Sequence, residues 1–175
     1  IAGVMGGSNS EISESTKDVL LESAYFDPAN IRRTSKFLGL STESSRRFER
    51  TVDIGMTLYA ANRAAQLLQE LAGGEVLKGV IDVYPRKRMP SNLRLRISKT
   101  NSILGTSLSR VEVIGCLKRL GLVPRQVNAD TVAVSIPTHR NDLVEEIDLI
   151  EEVARVYGYN RIEIKPASAP KEIKP

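Results

Sequence analysis

Leu58, Ala61, Ala65, Leu68 and Leu71 recur at helical spacing through residues 56–72, with Asn62, Arg63, Gln66, Gln69 and Glu70 between them and two glycines after them. That stripe predicts an amphipathic helix packed on a sheet. Upstream, "VLLESAYF" (19–26) alternates with period two, Leu20, Glu22 and Ala24 against Leu21, Ser23 and Tyr25. The alternation predicts a strand on which Glu22 is the lone acid. Asp27 followed by Pro28 reads as a helix entry and Gly39 as an exit, so 28–38 is expected to be helical, with a short turn after it.

Beyond residue 90 the pattern predicts strands at 93–97, 122–127 and 131–136, and helices at 98–104, 110–120 and about 143–157. Ser109 with Glu112 forms a capping-box pattern, and Gly121 is the expected stop of the second helix. Between the halves, "GVIDVYPRKRMPSNLRLR" (79–96) runs from a strand-like "VIDVY" into two prolines and a basic loop, the turn chemistry of a boundary. A Lys/Arg-specific protease is expected to cut first at Arg86, Lys87 or Arg88. The expected organisation is an α+β chain in three parts: residues 1–90, residues 91–165 with a winged-helix-like outline, and a Pro/Lys tail at 166–175.

Composition narrows the chemistry. The chain has 175 residues, 41% of them hydrophobic, and its apolar runs fall short of the roughly 20 residues a membrane span needs. A single cysteine, Cys116, rules out an internal disulfide and suits a reducing cytoplasm. One histidine, His139, leaves no zinc-type Cys/His cluster and no Cys–His nucleophilic pair. The chain opens on "IAGVMGG" without an initiator Met, as expected of a segment of something longer. The net charge of +4 is uneven: residues 1–78 hold 9 Lys/Arg against 10 Asp/Glu, and the rest holds 16 against 11.

Within the basic half lies "NDLVEEIDLIEE" (141–152), with six carboxylates in twelve positions. On a helix, Leu143, Ile147, Ile150 and Ala154 share one face, flanked by Val153 and Tyr157, while Asp148, Glu151 and Glu152 gather on another. Two readings stand open. One is a solvated face, with Glu151 and Glu152 paired to Arg155 and Asp142 with Glu145 as a capping box. The other is a hard-cation site, since clustered carboxylates on one face suit Mg²⁺, which takes few protein ligands and keeps waters.

The segment "HRNDLVEEIDLIEEVARVYGYNRI" (139–162) resembles the stretch closing an internal domain of bacterial phenylalanine–tRNA ligase beta subunits. "GVMGG", "VLLESAYFDPANIRRTSKFLGLSTESSRRFERTVD" and "LRLRISKTNSILG" resemble further blocks of that family in the same order. The resemblance implies the C-terminal part of a tRNA-editing domain followed by a small α+β domain. It also implies a place in an α₂β₂ heterotetramer whose alpha subunit uses ATP to activate phenylalanine, while the beta subunit edits phenylalanine tRNA carrying tyrosine. A Mg²⁺ site shared with the alpha subunit maps by resemblance to Asp142, Asp148, Glu151 and Glu152. Glu145 and Glu146 are then ordinary solvated acids, and His139 and Arg140 loop-fixing or interface groups.

By the same resemblance the editing pocket maps to Gly6, Glu22, Thr42 and Ser44, the last departing from the family's Ala. Glu22 can accept a hydrogen bond from a tyrosine phenol, a donor that phenylalanine lacks, and sites built around such a bond discriminate strongly. The competing reading is a surface Glu paired with Arg32, Arg33 or Arg47. No protein nucleophile or base is evident, so the expected chemistry is orientation of an ester and a water, with a ribose hydroxyl of the tRNA assisting. The segment alone, lacking the rest of the pocket, is expected to be inactive. Two alternatives remain: a nucleic-acid-binding module built on the basic second half, and an architectural spacer.

Overall fold

The computed structural model describes residues 1–85, 87 and 89–164. The tail expected at 166–175, and Arg86 and Arg88 of the expected cleavage loop, lie outside the described residues. The chain divides into two compact units, Ile1–Arg88 and Met89–Pro175.

The first unit is helical. Helix α1 (Pro28–Leu38) starts where the Asp27 carboxylate accepts from the Asn30 amide at 2.8 Å, and stops at Gly39 with φ +65°. Helix α2 (Glu43–Phe48) replaces the turn expected after α1, because the Thr42 hydroxyl and Ser45 form a reciprocal cap. Helix α3 (Thr57–Ala72) ends at Gly73 with φ +67°. The buried side chains here are few: Val4, Ile31 and Ser45, with Phe26 and Phe48 edge-to-face at 4.9 Å. Gly3 sits against them at φ +73°, where a Cβ would come within 2.5 Å of Ile31 Cδ1 and 2.7 Å of Phe26, so only glycine fits.

Three expectations fail in this unit, the first being that the strand-like stretch at 80–84 forms no strand. Residues 19–26 form no strand, and among the described residues the unit contains none. A strand needs a neighbour for its amides and carbonyls, and here Leu20 is 93% exposed. For the same reason α3 packs on no sheet: none of its residues is buried, and Leu58, Tyr59 and Leu71 are exposed.

The second unit follows the sequence pattern closely. Strands β1 (Ser91–Arg96), β2 (Val123–Gln126) and β3 (Thr131–Ile136) form an antiparallel sheet in the order β1-β3-β2, with Leu93 opposite Val134 and Leu95 opposite Val132. The period-two alternation sends Leu95, Val132, Val134 and Ile136 into the core. Helices α4 (Ile97–Leu104), α5 (Arg110–Arg119) and α6 (Glu146–Tyr157) complete it, burying Val113, Cys116 and Leu117 from α5 and Leu149, Ile150, Val153 and Ala154 from α6. Each full burial of such an aliphatic side chain contributes about 1.5–3 kcal/mol before entropy.

Local signals agree with that packing. Ser109 and Glu112 form the expected capping box, whose hydrogen bonds hold the Glu112 carboxyl below its ordinary value, and Gly121 takes φ +73° just past α5. The Asn101 side chain fixes the α4–α5 loop by accepting from the Leu108 amide and donating to its carbonyl, at 2.7 and 2.9 Å. Ser98 donates through its amide and hydroxyl to Asp130, tying α4 to the β2–β3 turn and lowering the Asp130 carboxyl.

Candidate functional site

Helix α6 begins at Glu146, three residues later than the pattern suggests, and its buried face is Leu149, Ile150, Val153 and Ala154. Ile147, expected inside, is 45% exposed, whereas Leu143 is buried ahead of the helix. The expected capping pair of Asp142 and Glu145 does not form. Instead the Asp148 carboxylate turns back along the helix and accepts from the Val144 amide at 2.8 Å and the Glu145 amide at 2.7 Å. A carboxylate there satisfies amides that the helix leaves open and suits the positive end of its dipole.

Glu146 corrects a second expectation, since it is not an ordinary solvated acid. Its side chain is 17% exposed; it accepts from the Arg96 amide at 2.9 Å, from the Arg96 guanidinium at 3.0 and 2.7 Å, and from Lys99 at 2.9 Å. The hydrogen bonds from Arg96, then those from Lys99, hold its carboxyl at about 2. Glu146 therefore joins α6 to the end of β1, where α4 starts without a side-chain cap of its own.

Asp142 and Glu152 are brought together by Arg140. Its Nε and Nη2 donate to the two Asp142 oxygens at 2.9 and 2.6 Å, and Nη2 also donates to Glu152 Oε1 at 2.9 Å. The second Glu152 oxygen takes Arg155. Arg140 and Glu152 are largely shielded, at 18% and 13% exposure, and hydrogen bonding to Asp142 raises the guanidinium's affinity for its proton while lowering the Asp142 carboxyl. Arg140 is thus the loop-fixing group expected at this position. Of the four mapped acids, Glu151 alone makes no hydrogen bond or ion pair with the described residues, and its expected pairing with Arg155 is absent. Among the described residues no three acids, histidines or cysteines gather closely enough to hold a metal ion. The donor set has the oxygen chemistry of a Mg²⁺ site, but this arrangement of it does not fit the ion.

In the first unit, three of the four mapped pocket positions belong to one local assembly. The Thr42 hydroxyl donates to the Val4 carbonyl and accepts from the Ser45 amide, and Ser44 Oγ donates to the Gly3 carbonyl at 3.1 Å. Two hydroxyls at the start of α2 thereby pin the glycine-rich segment that carries Gly6, and the space over Gly6 is open, with nothing within 4 Å of where a Cβ would stand. The extra hydroxyl of Ser44 is spent on this backbone contact.

Glu22 stands apart. It is exposed in a segment without regular structure and has no hydrogen bond or ion pair with the described residues. None of the three arginines suggested for it is its partner: Arg47 pairs with Glu43 at 3.0 Å, Arg33 donates to Asn30 and Arg32 to the Glu49 carbonyl. The Ser23 hydroxyl beside it donates to the Thr57 carbonyl at 2.7 Å, which fixes the neighbouring backbone to the start of α3.

Residues 1–73 match the B3/4 domain family and residues 93–159 the tRNA synthetase B5 domain family. The chain is 51% identical over 163 residues to the phenylalanine–tRNA ligase beta subunit of Geobacter sulfurreducens, covering 93% of this chain and 20% of that one. Over 162 residues it is 49% identical to the subunit of the same name from Protochlamydia amoebophila, covering 93% and 20%. With that of Thermotoga maritima it shares 45% over 170 residues, covering 97% and 21%. The chain thus spans about a fifth of the length of these relatives, and none of its described helices is long and apolar enough to cross a membrane.

Proposed function

We propose, since this chain belongs to the bacterial phenylalanine–tRNA ligase beta-subunit family, that residues 1–90 contribute to hydrolytic editing of tyrosine mischarged on phenylalanine tRNA. Residues 91–165 carry the assembly of a cytoplasmic α₂β₂ enzyme. The observation that supports the editing half is the assembly of Gly6, Thr42 and Ser44: two hydroxyls hold a glycine loop against a helix start and leave open space above it. Gly6 is exposed and carries no side chain, so a ligand can approach its backbone directly. Glu22, with no partner among the described residues, is placed to receive a phenol.

This chain's residues bind and orient rather than attack. Glu22 accepts the phenolic hydroxyl of the misattached tyrosine, and the pinned loop fixes the amino acid so that a water reaches the ester. A phenylalanine side chain leaves Glu22 without a donor, which disfavours its entry. In the second unit, Asp142, Asp148, Glu151 and Glu152 are the residues that would hold a Mg²⁺ shared with the alpha subunit, supplying the carboxylate oxygens that such an ion prefers. The arrangement seen here has to open first. ATP belongs to the alpha subunit's reaction.

The test is Glu22→Ala in the intact tetramer. Phenylalanine activation stays at the parental rate, while clearance of tyrosine from the tRNA falls by at least about tenfold, as expected for loss of a hydrogen bond that reads a hydroxyl. Clearance at the parental rate rejects the assignment.

A second reading has an observation of its own. On the sheet face opposite the core, Arg94 and Arg125 both stand opposite Ala133, so two exposed arginines flank a small central residue. Neither pairs with an acid among the described residues. A nucleic-acid backbone fits such a face, and Arg94→Gln with Arg125→Gln would then reduce the salt dependence of tRNA binding by about one counterion per arginine removed.

A further inference from the structure

We infer that Arg140 is this chain's own cation for the α6 acids, bridging Asp142 and Glu152 so that a divalent ion is kept out until the guanidinium is displaced. The inference rests on the reading of those acids as metal-facing, and deepens it.

Arg140 is placed by backbone and not by chance reach. Its amide closes a turn on the Pro137 carbonyl at 3.0 Å, and its own carbonyl accepts from the Leu143 amide, so the side chain leaves the loop directly beside α6. The fork matches a carboxylate: two nitrogens on the two Asp142 oxygens, with one shared to Glu152 twelve positions away at 2.9 Å. Every oxygen of Asp142 and Glu152 is consequently engaged by an arginine. Asp148 spends one oxygen on two backbone amides, which leaves Glu151 as the one mapped acid with no partner among the described residues. Mg²⁺ requires oxygens at about 2.0–2.1 Å in near-octahedral geometry, and a carboxylate directed at a guanidinium cannot also turn to such an ion without bringing two cations together. Arg155 lacks the same hold. It is 52% exposed and reaches Glu152 alone, whereas Arg140 is 18% exposed and joins two segments.

The two arginines can be told apart by titrating Mn²⁺ alone into the chain and reading paramagnetic broadening of the α6 amides, with Mg²⁺ as competitor. The unaltered chain shows no saturable broadening. Arg140→Gln binds Mn²⁺ at least about tenfold more tightly, because removing the internal cation leaves Asp142 and Glu152 mutually repelling and available, and Arg155→Gln changes affinity much less. Circular dichroism of each variant without metal reports whether α6 remains. Should Arg140→Gln unfold, Arg140→Lys keeps a charge without the fork and is expected to give an intermediate affinity. Equal affinity in the unaltered chain and Arg140→Gln overturns the inference, as does an equal gain in Arg155→Gln, which would make the effect one of net charge. Absence of binding in every variant overturns it too, while leaving the shared site to be decided by Mg²⁺-dependent docking of the alpha subunit.

Discussion

Replacing Glu146 by Gln removes one charge from the joint between α6 and β1 and keeps the shape and an oxygen for the Arg96 amide. The magnitude follows from the carboxyl's displacement. A fall from 4.5 to about 2, at about 1.36 kcal/mol per pH unit, bounds the ionic contribution at about 3.4 kcal/mol. The partners reduce that figure, because Arg96 is 52% and Lys99 41% exposed and water screens both. We therefore expect Glu146→Gln to cost about 1–2 kcal/mol at neutral pH.

The sign of the pH dependence is fixed by the same displacement. A carboxyl whose folded value is depressed contributes stability above its unfolded value, near 4.5, and loses it as pH falls toward the folded value of about 2. The gap between parent and variant should be full above about pH 5, shrink through about pH 3 and close below about pH 2. Urea unfolding followed through the methyl signals of Val132, Val134 and Leu95, all fully buried in the second unit, isolates that unit from the first. A gap below about 0.5 kcal/mol at neutral pH, the level of an ordinary surface substitution, refutes the joint. So does a gap that acid leaves unchanged.

Three further outcomes follow from the hydrogen bonds and burial. Asp148→Ala, which removes the acceptor of two amides, should destabilise the second unit by about 1–2 kcal/mol in the same urea assay, whereas Asp148→Asn retains an oxygen there and should lie within about 0.5 kcal/mol of the parent. Thr42→Val should cost about 1–2 kcal/mol and shift the Val4 and Gly6 amide resonances, since it loses both the α2 cap and the bond to the Val4 carbonyl; Ser44→Ala should shift Gly3 at a cost of about 0.5–1.5 kcal/mol. Cys116, whose thiol is pushed up by burial, should react with a disulfide reagent at neutral pH at the rate at which the second unit opens, so that reagent concentration ceases to matter once it is high.

The second unit was legible because its local and tertiary preferences coincide. Leu93 and Leu95 alternate with Arg94 and Arg96, Ser109 and Glu112 cap, Gly121 stops, and the helices these signals predict are those that cover the sheet. In the first unit Asp27, Pro28 and Gly39 bounded α1 correctly because a cap is decided within a few residues. The alternation at 19–26 failed because pairing is decided by a partner strand, and none is present among the described residues. Helix α2 was missed although Thr42 and Ser45 supply its cap, because Arg46 and Arg47 interrupt an apolar face too short to show a period. At the acid segment the spacing identified the carboxylates but not their partners. Arg140 and Arg96 lie 12 and 50 positions from the acids they reach, Glu152 and Glu146, and no helical periodicity conveys such contacts.

Those long-range contacts bear on what α6 can present. Its core side is set by Leu149, Ile150, Val153 and Ala154, four residues within 3% of full burial, so the helix cannot turn about its axis without exposing them. One residue of slippage corresponds to about 100° of rotation and would carry acid into the core. Rotation being excluded, the outward orientation of Glu151 and the placement of Glu152 beside Arg140 are properties of the hydrophobic packing. What packing leaves adjustable is the side-chain layer, and there Arg140 holds Glu152 to Asp142 while Glu146 holds the helix start to Arg96. A partner that takes the acids from Arg140 therefore acts on side chains against a fixed backbone. It need not remodel the helix.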